Sequence, residues 1–65
     1  MINRRDLERH LRAHGCVPVR EGRRHAVWEN PQTGRRSTVP RHRELPLGTA
    51  RAICTQLGVP AVGTP

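Results

Sequence analysis

The stretch CVPVREGRRHAVWENPQTGRRSTVP, from Cys16 to Pro40, decides the fold. Cys16 to Arg20 reads as extended chain, and Pro18, which has no N–H to give to a central ladder, marks it as an edge strand. Gly22 marks a turn. Arg24 to Asn30 reads as a second strand, and Pro31-Gln32-Thr33-Gly34 as a turn with glycine at its tight position. Arg35 to Val39 reads as a third strand, which Pro40 ends. Three short strands with tight connections make an antiparallel meander, and Arg41-His42-Arg43-Glu44 follow as a basic loop.

The flanks carry helix signals. Asn3 is placed as an N-cap, Asp6 follows three residues on, and Ile2 is placed to pack against Leu7. A helix from about Arg4 to His14 is expected, with Leu7, His10, Leu11 and His14 sharing one face and Gly15 as its left-handed stop. His10 and His14 have a spacing that can hold a metal, but no acid or third ligand accompanies them, so no metal site is assigned. A second helix opens at Pro46 and runs to about Leu57, with Gly58 and Pro60 after it. Leu47, Ala50, Ile53, Cys54 and Leu57 form its apolar stripe. The expected fold is α+β: an α-β-β-β-α order with both helices on one face of a three-stranded antiparallel sheet. The single domain is placed at residues 1–58, and residues 59–65 are expected as a flexible C-terminal tail.

Composition bounds the function. With 65 residues, 34% of them apolar, and Trp28 as the sole aromatic, the chain is one domain with a small core. Such a core leads us to expect a folded state supported by self-association or by a partner. No apolar run approaches the ~20 residues of a membrane span, and Met1 to Arg12 is too charged for the apolar segment of a signal peptide. A cytoplasmic location with no membrane contact is therefore expected. Twelve basic side chains, all arginine, face five acidic ones, for a net charge of +7. Guanidinium groups grip phosphates through paired hydrogen bonds, so the balance favours a polyanionic partner, nucleic acid first or else an acidic protein. Cys16 and Cys54 form no CxxC pair and lie in apolar settings, where a thiol is a small buried hydrophobe.

One segment carries candidate chemistry. His25 follows Arg23 and Arg24 and lies near Arg20. If the strand begins by Arg23, alternation puts Arg23 and His25 on one face and Arg24 on the other. A histidine can take the proton of a ribose 2′-hydroxyl or deliver one to the leaving oxygen while arginine holds the phosphate. On spacing alone, the plainer reading of a surface histidine that only touches phosphate outweighs catalysis. Arg20, Arg23 and Arg24 are the expected phosphate-binding surface. Trp28 is expected inside the core rather than stacked on a base.

The order of these elements resembles the HicA-type (YcfA-like) mRNA interferase toxins of bacterial toxin–antitoxin modules. The resemblance runs from about Leu7 to Pro60. It rests on Gly15-Cys16, Val17 to Val19, Arg23-Arg24-His25, Trp28, Pro31 to Gly34, Thr38-Val39-Pro40-Arg41-His42 and Gly48-Thr49-Ala50-Arg51-Ala52-Ile53. Arg23-Arg24 stand where the family has Gly-Ser, and Cys16 where it has an aromatic. The resemblance implies a fold like a double-stranded-RNA-binding domain and RNA cleavage that needs no metal or cofactor. It implies His25 as the catalytic residue and a HicB-like antitoxin that binds the toxin and blocks its site. His42 matches a family histidine and is assigned either to anchoring its loop or to RNA contact. The competing readings are a non-catalytic RNA-binding module and a degenerate toxin acting mainly through a protein partner.

Overall fold

The computed structural model describes residues 1–63. A two-residue strand β1 (Ile2–Asn3) leads into helix α1 (Arg4–Ala13). Strands β2 (Val17–Glu21), β3 (His25–Asn30) and β4 (Arg35–Pro40) follow, then a short β5 (Glu44–Leu45) and helix α2 (Leu47–Leu57). β2, β3 and β4 form one antiparallel sheet in that order, so Pro18 does lie in an edge strand. The architecture is α+β, with the two helices and the three-stranded sheet in α-β-β-β-α order.

Local chemistry explains the helix ends. The Asn3 side chain accepts the N–H of Arg5 at 2.8 Å, satisfying a donor of the first turn. α1 ends at Ala13, one residue inside the expected end, with His14 as its C-cap, and Gly15 takes φ 86°. Pro46 caps α2 at its N-terminus, and Gly58 closes it in the left-handed region at φ 74°.

The core lies between the helices and one face of the sheet. Leu7 and Leu11 of α1 and Ala50, Ile53, Cys54 and Leu57 of α2 meet Ala26 and Trp28 of β3 and Val39 of β4 in one buried cluster. Arg12 of α1 places its guanidinium 5.0 Å from the Trp28 ring centroid. Asn30 Nδ2 donates to the Leu57 carbonyl at 2.8 Å, and Ser37 Oγ donates to Gln56 at 2.6 Å. Both helices therefore cover the face that carries Trp28, and His25, Val27 and Glu29 alternate onto the other. Cys16 and Cys54 are buried and unbridged.

Four features differ from expectation. The second strand starts at His25, leaving Arg23 and Arg24 in a bend, so strand alternation does not set their directions. Part of the basic loop is structured: Glu44 and Leu45 pair with Asn3 and Ile2, and Leu45 is buried. Leu47, the first residue of α2, is exposed and stands outside the core cluster, so it is not part of the buried stripe. Val62, in the stretch read as a loose tail, is only 6% exposed and joins the core, with Val59 packed beside it. His10 Nε2 shares a hydrogen bond with the Pro60 carbonyl at 2.7 Å, which holds this stretch against α1. A core short of apolar side chains gains from two more valines. Residues 64–65 of that tail lie outside the described residues.

Candidate active site

The bend between β2 and β3 is fixed by its own backbone. Gly22 donates its N–H to the His25 carbonyl at 2.9 Å. A Cβ at position 22 would stand 3.0 Å from that carbonyl oxygen, so glycine is what permits the closure. On the far side, Arg41 donates its backbone N–H to the Arg24 carbonyl at 2.9 Å and Nη1 to the Gly22 carbonyl at 3.3 Å. His25 opposes Pro40 in the β3–β4 ladder, so this bend and the chain leaving β4 sit side by side.

A β-bulge decides where Arg20 faces. Val17 pairs with Glu29 and Pro18 with Trp28, but the register then shifts so that Arg20 pairs with Val27 and Glu21 with Ala26. Without that shift Arg20 would share the helix-covered face with Pro18, two residues before it. The extra residue moves it to the open face, where it stands in a row with Val27 and Thr38. Strand alternation read from the sequence contained no sign of this. The available signal is Pro18, since proline within a sheet is confined to edges, strand starts and bulges.

Two adjoining grooves result. The first, of about 400 Å³, is lined by Arg20, Arg23, Arg24, His25, Val27 and Thr38 together with Gly22. The second, of about 500 Å³, is lined by Arg23, Arg24, His25, Arg41 and His42. All five residues singled out from the sequence (Arg20, Arg23, Arg24, His25 and His42) thus border one or both grooves. Arg23, Arg24 and His25 form the wall the two share. Arg41 and Thr38 are additions that sequence reasoning missed.

The electrostatics leave the arginines available. Among the described residues only Arg4, Arg9 and Arg36 meet a carboxylate within 4.0 Å, through Glu8, Asp6 and Glu29. Arg20, Arg23, Arg24 and Arg41 have no such partner there. The rings of His25 and His42 are exposed and make no hydrogen bond among the described residues. An unpaired, solvent-open imidazole on an arginine-lined groove can accept or donate a proton on a bound phosphodiester. His10 and His14, whose rings lie 4.7 Å apart on α1, take no part in either groove. No group of three or more metal-ligating side chains occurs among the described residues.

Comparison with known families matches residues 4–59 to the family model described as the HicA toxin of bacterial toxin–antitoxin systems. The chain belongs to the HicA toxin family. The matched span of this HicA toxin takes in α1, all of the three-stranded sheet and α2, and with them every residue of the two grooves. Comparison with curated proteins and with solved structures gives no match. No helix of this HicA chain is long and apolar enough to cross a membrane among the described residues.

Proposed function

We propose that this chain is an RNA-cleaving toxin that works through His25 and is neutralised by a HicB-like antitoxin. The observation that carries the reading is the position of His25, exposed on the wall common to two arginine-lined grooves. The family match supports the toxin part.

In this reading a strand of mRNA lies with one phosphate against His25, held by Arg23, Arg24 and the re-aimed Arg20. The ribose 2′-oxygen attacks the adjacent phosphorus, the bond to the 5′-oxygen breaks, and a 2′,3′-cyclic phosphate and a 5′-hydroxyl are left. His25 removes the 2′-hydroxyl proton or supplies the proton that the departing oxygen takes up. The guanidinium groups stabilise the charge that builds on the phosphoryl oxygens. The atoms balance without metal or cofactor. An acidic antitoxin seated across the same grooves would exclude RNA by occupying its phosphate contacts.

Induced expression in bacteria is expected to arrest growth, with His25→Ala abolishing the arrest. Purified protein is expected to cut RNA in the presence of EDTA, and His25→Ala to lower the rate by about 10²–10⁴-fold. An unchanged rate in that variant would exclude the role given to His25. RNA bound in a salt-dependent way and recovered intact would instead identify a binding module.

A further inference from the structure

A third concavity, of about 410 Å³, lies beyond the two grooves and is lined by Asn3, Arg4, Arg5, Arg41 and Arg43. Arg41 lines both this cleft and the groove that holds His25 and His42, so the two are contiguous. We propose that this cleft is a second phosphate-binding subsite, which takes the backbone of the RNA beyond the nucleotide at His25. The proposal rests on the RNA-directed reading above.

The cleft's side chains divide by what they already do. Arg4 is structural: Nη1 donates to the Arg41 carbonyl at 2.6 Å, and Nε lies 3.6 Å from Glu8. Arg41 is a bracket, with its carbonyl held by Arg4 and its Nη1 reaching the Gly22 carbonyl. Arg5 and Arg43 are exposed and their side chains have no hydrogen bond or carboxylate partner among the described residues. The start of α1 does not account for the site by itself, because two of its backbone donors are engaged. The Arg4 N–H goes to the Arg43 carbonyl at 2.9 Å, and the Arg5 N–H goes to Asn3. What remains unmatched is a pair of guanidinium forks from two segments, brought to one cleft by the β1–β5 pairing. Glu44, opposite Asn3 in that pairing, is not among the lining residues.

A nucleic-acid strand supplies the complement, a phosphate at every step along a chain that can pass from one cleft to the next. An acidic protein also offers negative charge, but carboxylates at the periodic spacing of a backbone are not its general property.

The test uses Arg5→Gln/Arg43→Gln in the full chain, with His25→Ala added so that bound RNA stays intact. Binding of a tetranucleotide of uridine is compared with that of an oligouridine of about 12 residues, and the affinity is followed against salt. The expected result is unchanged tetranucleotide binding, loss of most of the affinity gained with length, and a salt slope shallower by about 1.4 for two lost single-strand phosphate contacts. Equal length and salt dependence with and without the two arginines would overturn the subsite. So would unchanged RNA binding combined with weaker capture of polyglutamate, which would assign the cleft to an acidic protein. If the parent chain binds neither oligonucleotide, the RNA-directed reading itself fails. If RNA is bound as expected but never cut by the chain with His25 intact, the subsite stands and only the cleavage fails.

Discussion

The Gly22 N–H donates to the carbonyl of His25 at 2.9 Å, and a side chain at position 22 would press on that same oxygen. Backbone closure and the placement of His25 are therefore one constraint. The carbonyl cannot give way without moving His25, which opens β3 opposite Pro40. Gly22→Ala requires that carbonyl oxygen to give by a few tenths of an ångström. It is expected to fold and to lose cleavage by less than the roughly 10²-fold that a one-ångström misplacement costs. Single-turnover rates beside a thermal melt would check this. A full-rate variant would show that the bend tolerates the displacement.

Arg20 offers a sharper test, because it reaches the groove through the bulge alone. Deleting Val19 removes the extra residue and leaves Arg20 opposite Val27 on the open face, whereas Arg20→Gln keeps the backbone and removes the guanidinium. Arg20→Gln is expected to weaken RNA binding, removing one phosphate contact and lowering the salt slope by about 0.7, while the Val19 deletion is expected to retain that contact. Titrations at several salt concentrations read the effect. Equal slopes in Arg20→Gln and the parent would remove Arg20 from the phosphate-binding set.

These two cases show what was legible in the sequence. Elements announced by side-chain chemistry were readable: the Asn3 cap, the glycine stops at Gly15 and Gly58, the turn at Pro31 to Gly34, and Trp28 as the inward aromatic. His25 stood out because an imidazole beside guanidinium groups has recognisable chemistry. The bulge was not readable, since it moves one residue in a strand whose two valines carry no face preference in sequence. The β1–β5 pair was hidden for another reason: two residues are too few to show a period. Arg5 and Arg43 line one cleft because that pair and the Arg4 N–H bond to the Arg43 carbonyl bring the two segments together. Val62 was missed because its burial depends on the chain turning back after Gly58, with the Pro60 carbonyl held by His10.

Asn30 ties the sheet to the end of α2. Its side chain is buried, donates to the Leu57 carbonyl at 2.8 Å and accepts the Gln32 N–H at 3.1 Å. Asn30→Ala leaves a helix-terminal carbonyl without that donor and is expected to cost about 1–3 kcal/mol. Asn30→Asp is expected to be worse, because it sets a carboxylate oxygen against the carbonyl. Denaturant midpoints of the two variants rank the effects. A neutral Asn30→Ala would mean that water replaces the bond without loss.

Trp28 is 1% exposed, and its indole Nε1 is buried without a hydrogen-bond partner among the described residues. Trp28→Ala is expected to cost about 3–5 kcal/mol, enough to unfold so small a domain. Trp28→Phe loses volume but also removes the unmatched donor, so the two changes oppose each other. It is expected to stay folded and to cost less than half as much as the alanine variant. Thermal unfolding compares them directly.

Alkaline pH isolates the two cysteines. The chain has no tyrosine and its basic side chains are all arginine, so above the range of the terminal amine the thiols are the groups left to titrate before arginine. Burial pushes Cys16 up from its ordinary value of 9.0, with the nearby Cys54 adding to the effect, and burial likewise pushes Cys54 up. A thiol whose folded pKa is raised stays neutral in the native state while the unfolded chain ionises. The stabilisation is therefore complete below the unfolded pKa, near 9.0, and is lost as pH climbs toward the folded values. The loss has a slope of up to about 1.4 kcal/mol per pH unit for each thiol. Denaturant unfolding between neutral and strongly alkaline pH should show stability falling only on the alkaline side, and Cys16→Ala/Cys54→Ala should flatten that limb whatever its effect at neutral pH. A limb as steep in the double variant as in the parent would trace alkaline instability to some other group.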